Sequence, residues 1–406
     1  MKILYINKVC GAGSTGRIVT DLMQQAKAQG HTVKVACSAI EPIRGVTPDE
    51  VITVGSKWDY YVHNILSRLT DKEGLFSKAA TRKLVRQIQD FNPDIIHLHN
   101  LHGHWINYEI LFDYLSQADK KVIWTLHDCW AFTGHCAHFS LLKCEQWKTH
   151  CKNCPGLSSY PKCYGKGNVY QNFARKKKAF TSVKQMTLVT PSKWLAGLVR
   201  QSFLGKYNVE VIYNGIDLTI FQPTSGNFRE RYALTDKPLI LGVAQVWIAR
   251  KGLPDLLALA RKMKNQAHVV LVGLTKKQLA MLPPEVLGLE RTNTPQDLAA
   301  IYSSADVFVN PSYEETMGLV TAEALACGTP AVVYDQTAVP EVVDSASGVI
   351  VPAGNIDQLE KAVTDLLTHP LAKAGILTRA MRFEKTKQYE QYIKIYEQPC
   401  KDVTLC

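Results

Sequence analysis

Short apolar, β-branched runs alternate with helical stretches along all 406 residues, and the series is played twice. In the first half Lys2–Ile6, Thr32–Ala36, Asp94–His99, Lys121–His127 and Thr187–Thr190 read as strands. Amphipathic segments such as Arg17–Gln29 and Phe76–Asp90 lie between most of them. A second series opens at Val209–Tyr213 and continues through Leu239–Val243, His268–Val272, Val307–Asn310, Ala331–Tyr334 and Gly348–Val351. Strands this apolar, separated by helices, belong to parallel sheets covered on both faces. The predicted fold class is therefore α/β, with two doubly wound, Rossmann-like domains. Expected boundaries are 1–215 for the first domain, with an insert at 134–164, and 216–382 for the second. Residues 383–406 would form a crossover helix and tail, with Tyr389, Tyr392 and Tyr396 packing back across the junction. Doubly wound sheets bind ligands beyond the carboxyl ends of their strands, so the loops of both domains are expected to face a central cleft.

Charge narrows the partners. Lys and Arg number 47 against 36 Asp and Glu, a net +11 with His neutral. The excess sits in residues 1–220, with 28 basic and 16 acidic side chains; residues 151–200 hold ten Lys or Arg and no acid. An anionic partner is expected on that half: nucleic acid, a membrane surface or a phosphorylated small molecule. No apolar run reaches the roughly 18–20 residues that span a bilayer. The opening Met1–Ile6 run leads into a glycine-rich stretch instead of a cleavage site, which argues against a secretory signal. With eleven Cys in such a chain, reduced thiols and a cytoplasmic home are expected.

The most specific stretch is Pro311-Ser312-Tyr313-Glu314-Glu315-Thr316-Met317-Gly318-Leu319-Val320-Thr321-Ala322-Glu323-Ala324. Good helix formers follow Gly318, which places Glu315 on the loop and Glu323 inside the helix. The N–H groups of Thr316, Met317, Gly318 and Leu319 would then face an anion, a diphosphate above all. Two carboxylates on either side suit hydroxyl-rich groups, although a lone acidic pair is more often a solvated helix face. The segment resembles the E-x7-E motif of retaining nucleotide-sugar glycosyltransferases of family 4, which have the GT-B architecture. Asn310-Pro311-Ser312, Glu323 through Pro330 and Asn214-Gly215-Ile216-Asp217 match as well, and the likeness is nearest to bacterial polysaccharide-assembly members. It implies that Glu315 contacts donor-sugar hydroxyls, Glu323 holds the ribose, and the amides of Thr316–Leu319 hold phosphate.

A second loop, Ala244-Gln245-Val246-Trp247-Ile248-Ala249-Arg250-Lys251-Gly252, follows an apolar strand. Adjacent cations at a strand end neutralise a diphosphate as charge develops on the leaving group. The family has an Arg where Gln245 stands; Lys251 fits, and Arg250 is the candidate substitute. A surface cation pair is the plain alternative.

In the first domain, Gly11-Ala12-Gly13-Ser14-Thr15-Gly16 matches G-x-G-x-x-G. The second strand ends Ala36-Cys37-Ser38-Ala39 without the acid a dinucleotide ribose needs, which weakens a dehydrogenase reading. The resemblance implies instead that the amides of Gly16 and Arg17 close over donor phosphates. It likewise implies that His127, ending a strand in Thr125-Leu126-His127-Asp128, positions the donor sugar, and that His99 and Asn100 lie on the acceptor side. His97, His99, His102 and His104 suggest a metal cluster, but acceptor contact or packing is the stronger reading.

Cys136, Cys144, Cys151 and Cys154 could hold a structural zinc in an insert with few aliphatics; free thiols or a disulfide are the alternatives. Beyond them, Tyr170–Phe180 reads as a basic helix with aromatics at 170, 173 and 180, suited to an anionic membrane or to solvent.

The reading reached is a retaining hexosyltransferase, without a catalytic divalent metal. It would pass a sugar from a nucleoside diphosphate to a growing, lipid-linked cell-surface glycan, from the cytoplasmic face of the membrane. A non-catalytic sugar-nucleotide-binding protein, with Gln245 marking lost chemistry, and a zinc-stabilised nucleic-acid-binding protein are the alternatives. No dedicated nucleic-acid module is present, and nucleic acid is not an expected partner.

Overall fold

The computed structural model describes residues 1–398; the end of the expected tail, 399–406, lies outside the described residues. The chain divides into two compact units, Met1–Ile212 with the chain from Tyr389, and Tyr213–Gln388.

The first unit holds seven parallel strands: β1 (Lys2–Ile6), β2 (Thr32–Ser38), β3 (Val51–Val54), β4 (Ile95–Leu98), β5 (Lys121–Thr125), β6 (Met186–Thr190) and β7 (Asn208–Val211). They lie in the order β3-β2-β1-β4-β5-β6-β7, the doubly wound arrangement. Alternation splits β1 between two cores: Leu4 and Ile6 face one, Ile3 and Tyr5 the other. The second unit repeats the scheme with β8 (Leu239–Val243), β9 (His268–Val272), β10 (Val286–Leu289), β11 (Val307–Asn310), β12 (Ala331–Tyr334) and β13 (Gly348–Val351), ordered β10-β9-β8-β11-β12-β13. Both units are Rossmann-like.

Two strands have no counterpart in the sequence expectation, β3 and β10. Both are four-residue edge strands, too short for a period to stand out. The run at Val209 closes the first sheet, by pairing with β6, instead of opening the second. The insert replaces aliphatic packing with aromatic: the Phe139 and Trp147 rings lie 5.3 Å apart, and Phe132 lies 5.4 Å from Trp147.

The basic segment forms a helix, Val169–Phe180, with Arg175, Lys177 and Lys178 exposed. Phe173 and Phe180 are core residues. Lys176 is buried as well, donating to the carbonyls of Trp130 (2.7 Å) and Thr133 (3.1 Å) with its ammonium 3.6 Å from the Trp130 ring. Arg175 pairs with Glu109 at 3.3 Å. A lysine stem covers apolar surface well, and here the head is buried too because two carbonyls and a π-face replace water.

The last helix, Lys385–Glu397, begins in the second unit, where Lys385 Nζ lies 2.6 Å from Asp217 Oδ2. From Tyr389 it belongs to the first, and Tyr389, Tyr392 and Tyr396 are buried in the core with Ile3 and Tyr5. Tyr396 Oη lies 2.7 Å from His97 Nδ1 and donates to Tyr5 Oη at 3.3 Å, while His97 Nε2 meets Thr125 Oγ1 at 2.8 Å. His97 is thus a satisfied core histidine that ties this helix to β1, β4 and β5. Tyr396→Phe leaves its Nδ1 without a partner and is expected to cost about 1–3 kcal/mol in urea denaturation. An unchanged midpoint would show that the network contributes nothing.

Candidate active site

In the second unit the strand order reverses between β8 and β11, so the loops after these two strands flank the switch point. The loops are tied to each other. Gly252 has φ 71°, and a Cβ there would meet the Pro311 carbonyl oxygen at 2.1 Å. Tyr313 N–H donates to the Arg250 carbonyl (2.8 Å), and Arg250 Nη1 donates to the Glu314 carbonyl (2.9 Å). The guanidinium nominated as a phosphate ligand therefore clamps the second loop. Gln245 is exposed.

This clamp sets Lys251 against Glu315, which form an ion pair sheltered from solvent. Burial pushes the Lys251 ammonium below its usual pKa, with Glu315 opposing the shift. Beyond Glu315 the chain turns at Gly318 (φ 92°), the N-cap of the helix Leu319–Ala326. No side chain caps that helix, and no acid lies in its first turn. Among the described residues the N–H groups of Thr316, Met317, Gly318 and Leu319 have no protein partner. They form a concentrated positive end aimed at an anion. Glu323, in the helix, accepts a hydrogen bond from Tyr302 Oη at 3.1 Å. A buried network pins the strand end: Asn310 Nδ2 donates to Thr321 Oγ1 (2.9 Å), and Ser312 Oγ donates to Asn310 Oδ1 (2.6 Å). The motif's residues are thus brought together around one helix N-terminus.

In the first unit the switch point lies between β1 and β4. The helix there begins at Gly13. Gly16 and Arg17 therefore sit inside its first turns, where their amides belong to the helical ladder. The N-terminal amides outside that ladder are those of Gly13, Ser14 and Thr15. Asn100 N–H donates to Asn7 Oδ1 (3.1 Å), joining the two loops. His99 is buried; its Nδ1 lies 3.0 Å from His127 Nε2, with the rings stacked at 5.3 Å. Burial lowers His127 to a pKa of about 4 and holds His99 well below its usual value. At neutral pH both rings are uncharged and share one N–H···N bond. The other His127 nitrogen, Nδ1, has no partner among the described residues.

Sequence reasoning passed over the pairings around this dyad. His102 Nε2 meets Asp128 Oδ2 at 2.8 Å, and its Nδ1 meets Tyr160 Oη at 3.0 Å. Burial works against it, yet His102 holds the Asp128 carboxyl below the usual range. His104 pairs with Glu73, whose Oε1 also accepts from the amides of Gly103 and His104 at 2.8 Å. His63, Glu73 and His104 are the one group of three donors, among the described residues, with ligand atoms all within 4.8 Å of one another. Each atom there is already engaged: His63 Nε2 accepts from Gly74 N–H (3.1 Å), and Nδ1 meets Ser77 Oγ (2.8 Å). The group closes on itself, with Glu73 bonded to His104. Nothing marks Glu73 or His63 in the sequence, since neither stands in a motif.

Cys136, Cys144, Cys151 and Cys154 line one small cavity with room of about 10 Å³, roughly that of a single atom-sized occupant. The Cys136 and Cys154 sulfurs are 3.4 Å apart. Gly134 N–H donates to Cys151 Sγ and Gly156 N–H to Cys154 Sγ, each at 3.3 Å.

Comparison with known proteins follows the same division of the chain. The family model for Glycosyltransferase Family 4 matches residues 15–220, and that for Glycosyl transferases group 1 matches 237–369. The chain is 25% identical to WcaC of Escherichia coli (strain K12), a glycosyl transferase whose name places it in colanic acid biosynthesis, over 98% of this chain and all of that one. Among solved structures, sucrose-phosphate synthase from Thermosynechococcus elongatus superposes with a TM-score of 0.71 at 18% identity, covering 98% of each chain. Anabaena Alr3699/HepE in complex with UDP-glucose gives 0.66 at 15% identity, covering 97% of this chain and 99% of that one.

The buried histidines make the first unit acid-sensitive. Burial lowers His63 and His127 to pKa values of about 4 and His97 to about 3. The unfolded chain takes up these protons near pH 6.5 and the folded chain only below about 4, so stability is complete above 6.5 and falls as pH drops. Each histidine contributes a loss of up to about 1.4 kcal/mol per pH unit in that window. Thermal unfolding at pH 7 and pH 5 checks this; equal midpoints would mean that these rings are not held neutral.

Proposed function

The chain belongs to glycosyltransferase family 4, and from that premise we propose that it transfers a hexose with retention from a nucleoside-diphosphate sugar to a growing, lipid-linked glycan of the cell surface. The observation that carries the reading is the row of unpartnered amides at Thr316–Leu319, with the Lys251–Glu315 pair on one side and Glu323 on the other. WcaC, related along its whole length, supports polysaccharide assembly, and HepE, solved with UDP-glucose, supports the donor class.

In this mechanism the amides of Thr316–Leu319 receive the distal phosphate of the donor. Lys251 exchanges its contact with Glu315 for the diphosphate, which frees the carboxylate to accept hydrogen bonds from sugar hydroxyls. As the bond from the anomeric carbon to phosphate breaks, the ammonium and amides stabilise the charge gathering on the leaving group. The acceptor oxygen bonds to the same face of that carbon, and its proton passes to the departing phosphate. No catalytic divalent metal is required. His127, neutral at working pH, holds the sugar by hydrogen bonding. Glu323 takes the ribose, with Tyr302 fixing its orientation. Arg250 serves the site by clamping the loop and not as a direct replacement for the arginine absent at Gln245.

Thermal stabilisation across a panel of UDP- and GDP-sugars identifies the donor, since a ligand of the folded state raises stability by mass action. With that donor, Glu315→Ala and Lys251→Ala are each expected to lower turnover by about 10²–10³-fold, read as nucleoside diphosphate release. Undiminished turnover in Glu315→Ala would overturn the assignment. Donor binding without turnover in the unaltered protein would favour the non-catalytic reading.

We also propose that the cysteine quartet holds a structural zinc. Tetrahedral Zn–S bonds of about 2.3 Å set sulfurs about 3.8 Å apart, near the Cys136–Cys154 separation and far from a disulfide. The other two sulfurs must draw in on that pair, and the amide hydrogen bonds to Cys151 and Cys154 suit thiolates. Protein purified without added metal should carry about one zinc per chain by mass spectrometry, lost in Cys151→Ser/Cys154→Ser. A metal-free wild type with unaltered unfolding in chelator would refute it.

A further inference from the structure

The helix Lys57–Thr70 is turned inside out for a helix in water. Its buried side chains are His63 and Ser67. Its exposed ones include Trp58 (79%), Tyr61 (58%), Val62 (48%), Ile65 (59%) and Leu69 (59%). At 3.6 residues per turn these five lie within an arc of about 100°, one continuous stripe along the helix. Single exposed apolar residues are ordinary on a protein surface, but five aligned on one helix mark a face that something covers.

The charges around the stripe indicate what covers it. Lys57 starts the helix, Arg68 lies in its last turn, and Lys72 follows two residues after its end. The Tyr164 N–H donates to the Arg68 carbonyl at 2.8 Å, which brings exposed Lys162, Tyr164 and Lys166 to the same end of the helix. Lys162 Nζ lies 5.0 Å from the Tyr164 ring. The helix carries one acid, Asp59, and it is engaged at the N-cap, accepting from Ser56 Oγ at 2.7 Å. An apolar ridge, with Trp and Tyr at one end and cations at both, has the chemistry of a helix lying in the headgroup region of an anionic bilayer. No described helix is long and apolar enough to cross a membrane, so attachment through this helix would be to the surface. A second copy of the chain fits less well. Antiparallel pairing of two such helices would set Lys57 of one against Arg68 and Lys72 of the other, like charge on like.

We propose that the Lys57–Thr70 face docks the protein on an anionic lipid surface, with Trp58, Tyr61, Val62, Ile65 and Leu69 entering the interface and Lys57, Arg68 and Lys72 meeting lipid phosphates. This helix is distinct from Val169–Phe180, whose composition suits an anionic membrane or solvent. The purpose of the docking, delivery of the enzyme to a lipid-linked acceptor, rests on the function proposed above, but the binding itself does not.

The full-length chain is mixed with phosphatidylcholine vesicles containing about 30 mol% phosphatidylglycerol, or none, and sedimented. The unaltered protein should bind the anionic vesicles, and bind less as salt rises. Trp58→Ser/Ile65→Ser/Leu69→Ser and, separately, Lys57→Glu/Arg68→Glu/Lys72→Glu should each weaken binding about tenfold or more. Both should keep the wild-type unfolding temperature and donor-induced stabilisation. Lys177→Glu/Lys178→Glu, on the other basic helix, should bind as the wild type does. The proposal fails if the unaltered protein stays in the supernatant, or if the serine triple variant binds as well as it does. It fails equally if the wild type is a dimer that this variant makes monomeric, with no vesicle binding by either. Vesicle binding without any donor stabilisation would leave the docking intact and remove the transferase reading; the reverse result would remove only the docking.

Discussion

Gly252 lies so close to Pro311 that any side chain there would collide with the backbone of the loop after β11. That approach has one consequence after another. It holds Arg250 within reach of the Glu314 carbonyl, and Tyr313 N–H on the carbonyl of Arg250. With the loops joined, Lys251 has Glu315 as its partner, and the chain leaves that pair directly into Gly318 and an uncapped helix. A cation from one loop thus meets a carboxylate and a row of free amides from the other, and the loops are held together by contacts that involve no ligand. Preorganised charge of this kind needs no rearrangement of the protein as the transition state forms, which is where electrostatic catalysis gains most.

The first unit is built on the opposite principle. Burial lowers the pKa of His63, His97, His99 and His127 there, and hydroxyls partner one of these rings on both sides, Tyr396 and Thr125 on His97. Lys176, the one buried lysine among the described residues, is held by carbonyls and an indole face, and burial lowers its pKa to about 7.

Much of this was legible because it is local. Parallel strands declare themselves through apolar runs, and eleven of the thirteen strands were read; β3 and β10 were not, because a four-residue edge strand is half exposed and carries little period. The Glu315–Glu323 motif was readable because its helix, its glycine and its two acids are contiguous. What stayed hidden depends on contacts between distant residues. The sequence pattern opens the first helix at Arg17, whereas it begins at Gly13, because a glycine-rich run gives no sign of where a helix starts. The Lys251–Glu315 pair joins two loops 64 residues apart, and Glu73 meets His104 only because two other loops come together. The four cysteines are spaced suggestively, but only the fold brings all of them onto one cavity.

The charge surplus shows the same limit from another side. Counted along the chain, +11 looks like free positive surface, with its peak at residues 151–200. In the folded protein one cation of that peak, Lys176, is interior, and Arg175, though exposed, is paired with Glu109. The helix Lys57–Thr70 carries few cations and drew no notice, because an i, i+3, i+4 apolar stripe is by default the core face of a helix. Periodicity establishes that a face is to be covered, but it does not say by what. Here the opposite face, with His63 bonded to Gly74 and Ser77, is the one turned to the protein. The polar side is satisfied inside, so the apolar side is left for a partner, and a few cations at its ends matter more than a dense run elsewhere.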